Sequence, residues 1–176
     1  MNKNPIVTFT MSNGDMFKAE LFPEKAPITV NSFLSLIKKG FYKDVIFHRV
    51  VKDFVIQGGD PTGTGMGGPG YCIRGEFQQN GVDNDVPHTL GTLSMARAQA
   101  MNSGGSQFFI VTGNARFLDG QYAAFGRVIE GMEAVERIHR CDTDNRDRPL
   151  TEQRIASVIV DTFGVEYPEP EKLPER

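Results

Sequence analysis

Tryptophan is absent from this 176-residue chain, and cysteine and histidine are scarce, with two and three residues. Cys72 and Cys141 lack the spacing of a metal-binding or redox-active pair, so we expect two free thiols in a reducing compartment. The amino-terminal segment lacks the basic start, apolar core and cleavage site of a secretory signal. No apolar run approaches the length of a membrane span. We therefore expect a cytoplasmic protein that does not associate with membranes.

Neither sign of charge is in large excess, since the net charge is −3. Proteins that bind nucleic acid or an anionic membrane usually carry a basic excess, so both classes of partner are disfavoured. The length is typical of one domain, which buries about two-thirds of its unfolded surface. Phenylalanine is abundant, with 13 residues, and supplies much of the apolar surface available for a core or a binding site.

Two short strands are predicted in the middle of the chain, over 47–51 and 53–57, because apolar residues alternate in both. Regular alternation places Arg49 on the same face as Phe47. An unpaired buried charge is costly, so this arginine needs a partner or a cleft, and the amide oxygen of Gln57 can accept from it. The alternative is an arginine at the rim, which covers apolar surface with its aliphatic stem.

The rest of the chain predicts mainly short strands. An Asn-Gly turn joins two strands near the amino terminus, and apolar residues at helical spacing predict one helix capped by Thr29 and a second over 131–141. About eight strands with two helices predict a mainly β fold, a closed eight-stranded antiparallel β-barrel capped by two α-helices. We expect one domain over residues 1–165 and an extended or disordered Pro/Glu-rich tail over 166–176.

A glycine-rich stretch follows the central strands, over residues 58–70. Its sequence matches the dinucleotide-binding motif G-x-G-x-x-G, but no helical pattern follows, which that motif requires. We therefore expect a surface loop beside a substrate cleft and no cofactor. Asp83, Asp85 and His88 suggest a metal site as an alternative. Because two carboxylates and one imidazole in a turn-rich segment are more often solvated, we expect no metal.

A hydrolase using Ser106, His48 and Asp60 is a further alternative. Ser106 begins a strand without the sharp strand-to-helix turn that exposes a nucleophilic serine. His48 precedes Arg49 on a strand, so regular alternation directs it to the opposite face as a structural residue. The sequence therefore disfavours nucleophilic catalysis.

Four motifs occur in a fixed order along the chain. They are FHR followed by QGGD within residues 47–60, SQFFI at 106–110, FLDG at 117–120 and FGRV at 125–128. Together they resemble the cyclophilin family of peptidyl-prolyl isomerases, over residues 5 to 163. Several independent motifs in family order are far more specific than any one of them.

The resemblance implies an enzyme that accelerates rotation about Xaa-Pro bonds in protein substrates and so assists folding. Arg49 would be the catalytic donor and Gln57 would orient it. The substrate would be bound by Phe54, Val55, Ala96, Arg97, Ala98, Gln107, Phe109, Phe117, Leu118 and Tyr122. The family requires no metal or cofactor, and the implied partners are proline-containing peptides and unfolded proteins, bound by a monomer.

Some positions depart from the common family pattern. Phe117 stands where tryptophan is frequent and Tyr122 where histidine is frequent, which resembles the bacterial single-domain branch. Val55 replaces a frequent methionine and Arg97 a frequent asparagine. Phenylalanine lacks the indole N–H that holds cyclosporin, so we expect such inhibitors to bind only weakly.

A non-catalytic module or holdase chaperone that binds proline peptides remains the main alternative. It would use every residue of the same pocket, so only turnover distinguishes it from an enzyme. A separate hypothesis places the tail prolines, Pro170 or Pro174, in the cleft of the same or a neighbouring molecule.

Overall fold

Eight antiparallel strands and two helices make up the computed structural model, which describes residues 3–175. The elements are β1 Ile6–Met11, β2 Met16–Leu21, α1 Pro27–Lys38, β3 Phe47–Val51, β4 Val55–Gly58, β5 Thr92–Met95, β6 Phe108–Val111, β7 Ala124–Glu130, α2 Met132–His139 and β8 Ile155–Asp161. The strand order in the single sheet is β3-β4-β6-β5-β7-β2-β1-β8. Between residues 3 and 175, no helix is long and apolar enough to cross a membrane.

The sheet is an open half-barrel, so the prediction of a closed barrel is wrong in that respect. The chain segments at the start of its edge strands, β3 and β8, meet at an isolated bridge between Ile46 and Arg154, where the N–H of Phe47 donates to the carbonyl oxygen of Gln153 at 2.9 Å. Beyond it, the N–H of Val50 donates to the carbonyl oxygen of Asp147 at 2.8 Å instead of to β8. The segment that precedes β8 therefore covers the edge of β3 and satisfies its hydrogen bonds without closing the sheet.

Helix α1 packs its apolar stripe into the sheet, as the helical spacing predicts. Phe33 at its centre is fully buried. Its ring centroid lies 5.0 Å from that of Tyr42, 5.4 Å from that of Phe108 and 5.1 Å from that of Phe125. This aromatic cluster fills the interior, so the inner face of the sheet is core and any binding site must lie on the outer face.

The start of α1 differs from the prediction, because Thr29 is not its N-cap. The helix begins at Pro27, and the buried carboxylate of Glu76 accepts hydrogen bonds from the N–H groups of Ile28, at 3.1 Å, and Thr29, at 2.6 Å. The Thr29 hydroxyl donates to the same carboxylate at 2.7 Å. A residue distant in sequence thus satisfies the free N–H groups of the first turn, which short-range patterns cannot reveal.

A β-bulge interrupts β3 and corrects the predicted alternation. Phe47 pairs with Gly58 and Arg49 pairs with Gln57, which leaves His48 as an extra residue. As a result Phe47 and Val50 both lie in the core, whereas Arg49 is only half-buried. Arg49 therefore does not share the face of Phe47, and its side chain lies on the outer surface of the sheet.

The segment after β8 has no helix or strand as far as residue 175, and it runs beside α1. The carboxylate of Glu169 accepts from Ser35 Oγ at 2.9 Å and Lys39 Nζ at 3.0 Å. Further on, Leu173 and Cys72 exchange two main-chain hydrogen bonds of 2.9 and 2.7 Å. These contacts fix the path of the tail along the body of the protein.

Candidate active site

A cleft of about 700 Å³ opens on the outer face of β3, β4 and β6. Ten of the twelve predicted site residues line this cleft. They are Arg49, Phe54, Val55, Gln57, Ala96, Arg97, Phe109, Phe117, Leu118 and Tyr122. The other two, Ala98 and Gln107, line an adjoining cavity of about 440 Å³ that shares Gln57, Ala96 and Arg97 with the cleft. The predicted residues therefore surround one continuous depression.

The floor of the cleft is a small apolar cluster separate from the main core. Strands β4 and β6 alternate, so Ile56 and Ile110 pack inward while Val55, Phe109 and Val111 face the cleft. The partly buried side chains packed on this cluster are Phe54, Ala96, Leu118 and Tyr122. The result is a slot with an apolar floor, open on one side to solvent.

Two aromatic pairs form the walls of this slot. The rings of Phe54 and Phe117 stack with centroids 5.4 Å apart, and those of Phe109 and Tyr122 meet edge to face at 5.8 Å. Phe117 is 64% exposed, so it forms the outer rim rather than the floor. The walls are therefore flat and apolar, which suits a small saturated ring.

His88 lies behind the slot and supports it. Its ring stacks on Phe109 with centroids 6.0 Å apart, and its two nitrogens contact Asp119 Oδ1 at 3.0 Å and Ser94 Oγ at 2.8 Å. Burial lowers the pKa of His88, and the Asp119 carboxylate opposes that shift.

The sequence also suggested a metal site formed by Asp83, Asp85 and His88. In the structure Asp85 instead forms an ion pair with Lys25 at 2.8 Å. Within residues 3–175, no group of three or more potential ligands could hold a metal ion.

The Arg49 guanidinium is held by a chain of hydrogen bonds. Arg49 Nη1 donates to Gln57 Oε1 at 3.0 Å, and Gln57 Nε2 donates to Gln107 Oε1 at 3.1 Å. Gln107 Nε2 then donates to the carbonyl oxygens of Gly65 and Gly67, both at 3.0 Å. A guanidinium can only donate and a carbonyl can only accept, so both ends impose the same orientation on the two amides. Gln107, expected to bind substrate, thus also positions Gln57.

Asp60 organises the glycine-rich loop at the end of this chain of hydrogen bonds. Its buried carboxylate accepts from the N–H groups of Thr62 at 2.8 Å, Gly65 at 2.6 Å and Gly67 at 3.0 Å. Desolvation by burial raises the pKa of Asp60. The hydrogen bonds from Gly67, Thr62 and Gly65 outweigh it and lower the pKa to about 2. The loop therefore folds around an ionised carboxylate.

The Arg97 side chain separates the cleft from the adjoining cavity. Its guanidinium donates to the carbonyl oxygens of Gln121 at 2.8 Å, Ala98 at 3.0 Å and Gln99 at 3.1 Å. It also lies 4.6 Å from the ring centroid of Tyr122. Arg97 therefore fixes two loops against each other.

The tail reaches only the adjoining cavity. Glu175 is among the residues that line it. Neither Pro170 nor Pro174 lines the cleft or this cavity. The hypothesis that a tail proline occupies the cleft of its own molecule is therefore wrong.

Sequence reasoning missed several residues that line the cleft, namely His48, Thr64, Gly65, Arg146 and Arg148. His48 reaches the cleft because the bulge removes it from regular alternation. Burial lowers the pKa of His48, and the guanidiniums of Arg148 and Arg49 lower it further, against the effect of Asp60. Glycine-rich composition indicated a loop beside the cleft, whereas no local pattern marks residues 146 and 148.

The structure excludes the serine-hydrolase alternative. Ser106 is 1% exposed, and its hydroxyl donates to the carbonyl oxygen of Gly59 at 2.7 Å. Asp60 is committed to the glycine-rich loop, and His48 has no contact with Ser106 among the hydrogen bonds of residues 3–175. Neither His48 nor Asp60 is therefore placed to activate this hydroxyl, which already donates to a main-chain carbonyl oxygen.

The family model described as "Cyclophilin type peptidyl-prolyl cis-trans isomerase/CLD" matches residues 6–160. This chain belongs to that family. It is 45% identical over 152 residues to "Peptidyl-prolyl cis-trans isomerase CYP18-2" of Arabidopsis thaliana, covering 86% of this chain and 90% of the relative. It is also 44% identical to "Peptidyl-prolyl cis-trans isomerase-like 1" of Emericella nidulans, covering 91% and 97%. The protein is a cyclophilin-type peptidyl-prolyl cis–trans isomerase.

A solved structure supports the same assignment. A cyclophilin-type isomerase of Cryptosporidium parvum, determined in the presence of the dipeptide Ala-Pro, matches with a TM-score of 0.80 at 36% identity. The match covers 89% of this cyclophilin and 98% of the parasite chain. These three relatives are eukaryotic proteins, so they do not support the predicted bacterial branch.

Proposed function

We propose that this cyclophilin accelerates rotation about Xaa-Pro bonds in proteins, including unfolded chains, and so assists folding. Rotation destroys amide resonance and has a barrier of about 18–20 kcal/mol. No covalent bond breaks, so the reaction needs neither a nucleophile nor a cofactor. It needs a pocket that holds the proline ring and a donor that favours the twisted amide over the planar one.

The observation that supports this proposal most strongly is the position of Arg49. Its guanidinium borders the apolar slot and is fixed by Gln57 at 3.0 Å. In the twisted amide the prolyl nitrogen regains a lone pair, to which a fixed guanidinium can donate. The planar ground state offers no such acceptor, so this hydrogen bond lowers the barrier without strengthening ground-state binding.

Arg49 alone does not account for a large acceleration. A hydrogen bond from a charged group contributes about 1.5–3 kcal/mol, whereas a rate gain on the order of 10⁵ requires about 7 kcal/mol. The remainder requires lowered screening beside the apolar walls and correct positioning of the peptide. Phe54 and Phe109, which line the slot with Arg49, therefore contribute to the mechanism as well as to packing.

Peptide groups beside the slot are available to position the substrate backbone. The main-chain N–H of Arg97 has no acceptor among residues 3–175, although it lies between the slot and the adjoining cavity. An extended substrate can pair with it as an additional short strand. Of the three residues expected to bind the substrate backbone, we assign this pairing to Arg97, because the N–H groups of Ala96 and Ala98 already donate to the Gln107 carbonyl oxygen and to Ser103 Oγ, both at 2.9 Å.

We further propose a cytoplasmic monomer of the bacterial single-domain branch that binds cyclosporin-type inhibitors weakly. The support for the branch and for weak inhibitor binding is the pair Phe117 and Tyr122, together with the absence of an indole N–H at the exposed rim. Titration of the isomerase with cyclosporin tests the inhibitor assignment, and inhibition at nanomolar concentration would contradict it.

Catalysis is tested by exchange NMR on a short Xaa-Pro peptide, because the method measures cis–trans interconversion without a coupled protease. We expect turnover by the wild type and almost none by Arg49→Ala, with peptide binding largely retained. Binding without accelerated exchange in the wild type would favour the holdase alternative. A chromatographic measurement of size tests the monomer.

A further inference from the structure

The charged side chains that line the active-site cleft are all of one sign. Four arginines line it, Arg49, Arg97, Arg146 and Arg148, and within residues 3–175 no aspartate or glutamate does. None of the four guanidiniums lies within 4.0 Å of a carboxylate of a described residue, in contrast to Arg137, which pairs with Asp15. The protein as a whole has a net charge of −3. The charged side chains in the lining of the cleft are therefore all positive on an acidic protein, and the nearby carboxylate of Asp144 lies on the loop behind Arg146 and Arg148.

Two of the four arginines already have tasks in this cyclophilin. Arg49 is held by Gln57, and the guanidinium of Arg97 donates to main-chain carbonyl oxygens, including that of Gln121 at 2.8 Å. The mechanism of isomerisation uses neither of the other two, Arg146 and Arg148, although Arg148 is held by the carbonyl oxygen of Gly63. The charge of Arg146 beside the slot therefore has no part in that mechanism.

The loop that carries Arg146 and Arg148 is folded so that both side chains line the cleft. The carboxylate of Asp144 accepts hydrogen bonds from the N–H groups of Arg146 at 2.8 Å and Arg148 at 3.1 Å. Arg148 Nη1 donates to the carbonyl oxygen of Gly63 at 2.6 Å, which anchors that side chain to the glycine-rich loop. The Arg146 guanidinium donates no hydrogen bond to any residue from 3 to 175. Its donors are therefore available to a ligand.

We propose that Arg146 and Arg148 form a subsite for an anionic side chain of the substrate, a carboxylate or a phosphate, near the isomerising proline in sequence. Guanidiniums recognise both groups through paired N–H donors. Walls of low polarity, such as Phe54 and Phe117, strengthen the attraction by reducing screening. This inference rests on the proposed function and specifies its substrate class.

Exchange NMR on a set of peptides tests the subsite. The peptides share one Ala-Pro core and carry Glu, Gln, Lys or phosphoserine at a single position, either two residues before or two residues after the proline. We expect kcat/KM for the best Glu peptide to exceed that for the matched Lys peptide by about fivefold at low ionic strength. The ratio should approach one at about 1 M salt. A larger gain for phosphoserine than for Glu would identify phosphate as the preferred group.

A pair of charge-matched variants separates the subsite from the overall charge of the protein. Arg146→Gln should reduce the Glu/Lys ratio by half or more. Arg140→Gln should leave it unchanged, because Arg140 is exposed at the end of α2 and does not line the cleft. Equal kcat/KM for Glu and Lys peptides in the wild type would overturn the subsite, as would equal effects of the two variants.

NMR titration of the Glu and Lys peptides distinguishes failure of this inference from failure of the proposed function. Absence of turnover with every peptide would contradict the isomerase mechanism. The ratio of the two dissociation constants would still decide the subsite, since it depends on binding alone. Equal dissociation constants would overturn it.

Discussion

Gln57 donates through Nε2 to Oε1 of Gln107 at 3.1 Å, and this amide-to-amide contact connects the catalytic arginine to the glycine-rich loop. On one side Gln57 accepts from Arg49, and on the other side Gln107 donates to two loop carbonyls. Reversing either amide would place donor against donor or acceptor against acceptor. The guanidinium is thus oriented by the glycine-rich loop that follows β4, through two intervening amides.

Arg49→Ala should reduce kcat/KM for Xaa-Pro exchange by about a hundredfold or more, because removal of a preorganised donor to a developing lone pair typically has that effect. The peptide dissociation constant should change only a few-fold, since the apolar slot remains. Exchange NMR and a titration with the same peptide give both values. Equal losses in turnover and binding would contradict the mechanism.

Gln107→Leu should lower kcat/KM by about tenfold, because Gln57 Nε2 loses its acceptor and no longer holds Arg49 in one orientation. The effect should vanish in the Arg49→Ala background, since both changes act through the same group. A double-mutant cycle in kcat/KM measures this coupling. Additive losses would show that Gln107 acts on the substrate directly.

Gly67→Ala and Gly68→Ala form a matched pair within the glycine-rich loop. A methyl group at Gly67 would overlap Asp60 Oδ1 and approach the Thr62 side chain, whereas one at Gly68 meets nothing within 4 Å. We expect Gly67→Ala to lower both the free energy of unfolding, by about 1–3 kcal/mol, and kcat/KM. Gly68→Ala should leave the free energy of unfolding within about 0.5 kcal/mol of the wild type. Urea unfolding and exchange NMR measure these effects.

Asp60→Asn should remove a contribution to the free energy of unfolding that depends on pH. The folded-state pKa of Asp60 is lowered from 3.8 to about 2, so the ionised carboxylate stabilises the fold above pH 3.8. That contribution, about 2 kcal/mol, is lost as the pH falls from 3.8 through 2. Urea unfolding should therefore show the stability difference between wild type and Asp60→Asn shrinking over this interval. The exposed Asp83→Asn serves as the control, and no comparable change is expected there.

Truncation after Val165 should lower the melting temperature by several degrees, because it removes the buried Pro170 and the two main-chain hydrogen bonds between Leu173 and Cys72. Turnover of a short neutral peptide should remain unchanged, since the tail does not line the slot. Calorimetry and exchange NMR on the same samples give both values. A rise in turnover would show that the tail competes with substrate.

Much of the slot follows from period-two alternation in the sequence. Val55 and Phe109 face outward because Ile56 and Ile110, their neighbours in sequence, pack inward, and a strand has no other way to place both. The buried face of α1 likewise follows from helical spacing. The resemblance to cyclophilins supplied the predicted site residues, ten of which line the cleft, and local periodicity explains why Val55 and Phe109 among them face outward.

Features that depend on distant contacts were not predictable in this way. Glu76 caps a helix that begins 49 positions earlier, and Asp60 folds a loop by accepting hydrogen bonds from main-chain N–H groups, which every residue type except proline can supply. Arg146 reaches the cleft only through the fold of its loop. Closure of the sheet also depends on which segment covers the edge of β3, and strand patterns do not encode that choice.

The extra residue at His48 makes the register of β3 decisive for catalysis. The bulge lets Phe47 and Val50 both face the interior while Arg49 faces the cleft. In a regular strand of the same length, the Arg49 side chain would turn toward the phenylalanine-rich interior, where a bare guanidinium is unstable. The outward orientation of the catalytic arginine therefore depends on a local irregularity of the backbone, in addition to the side chains that bind it.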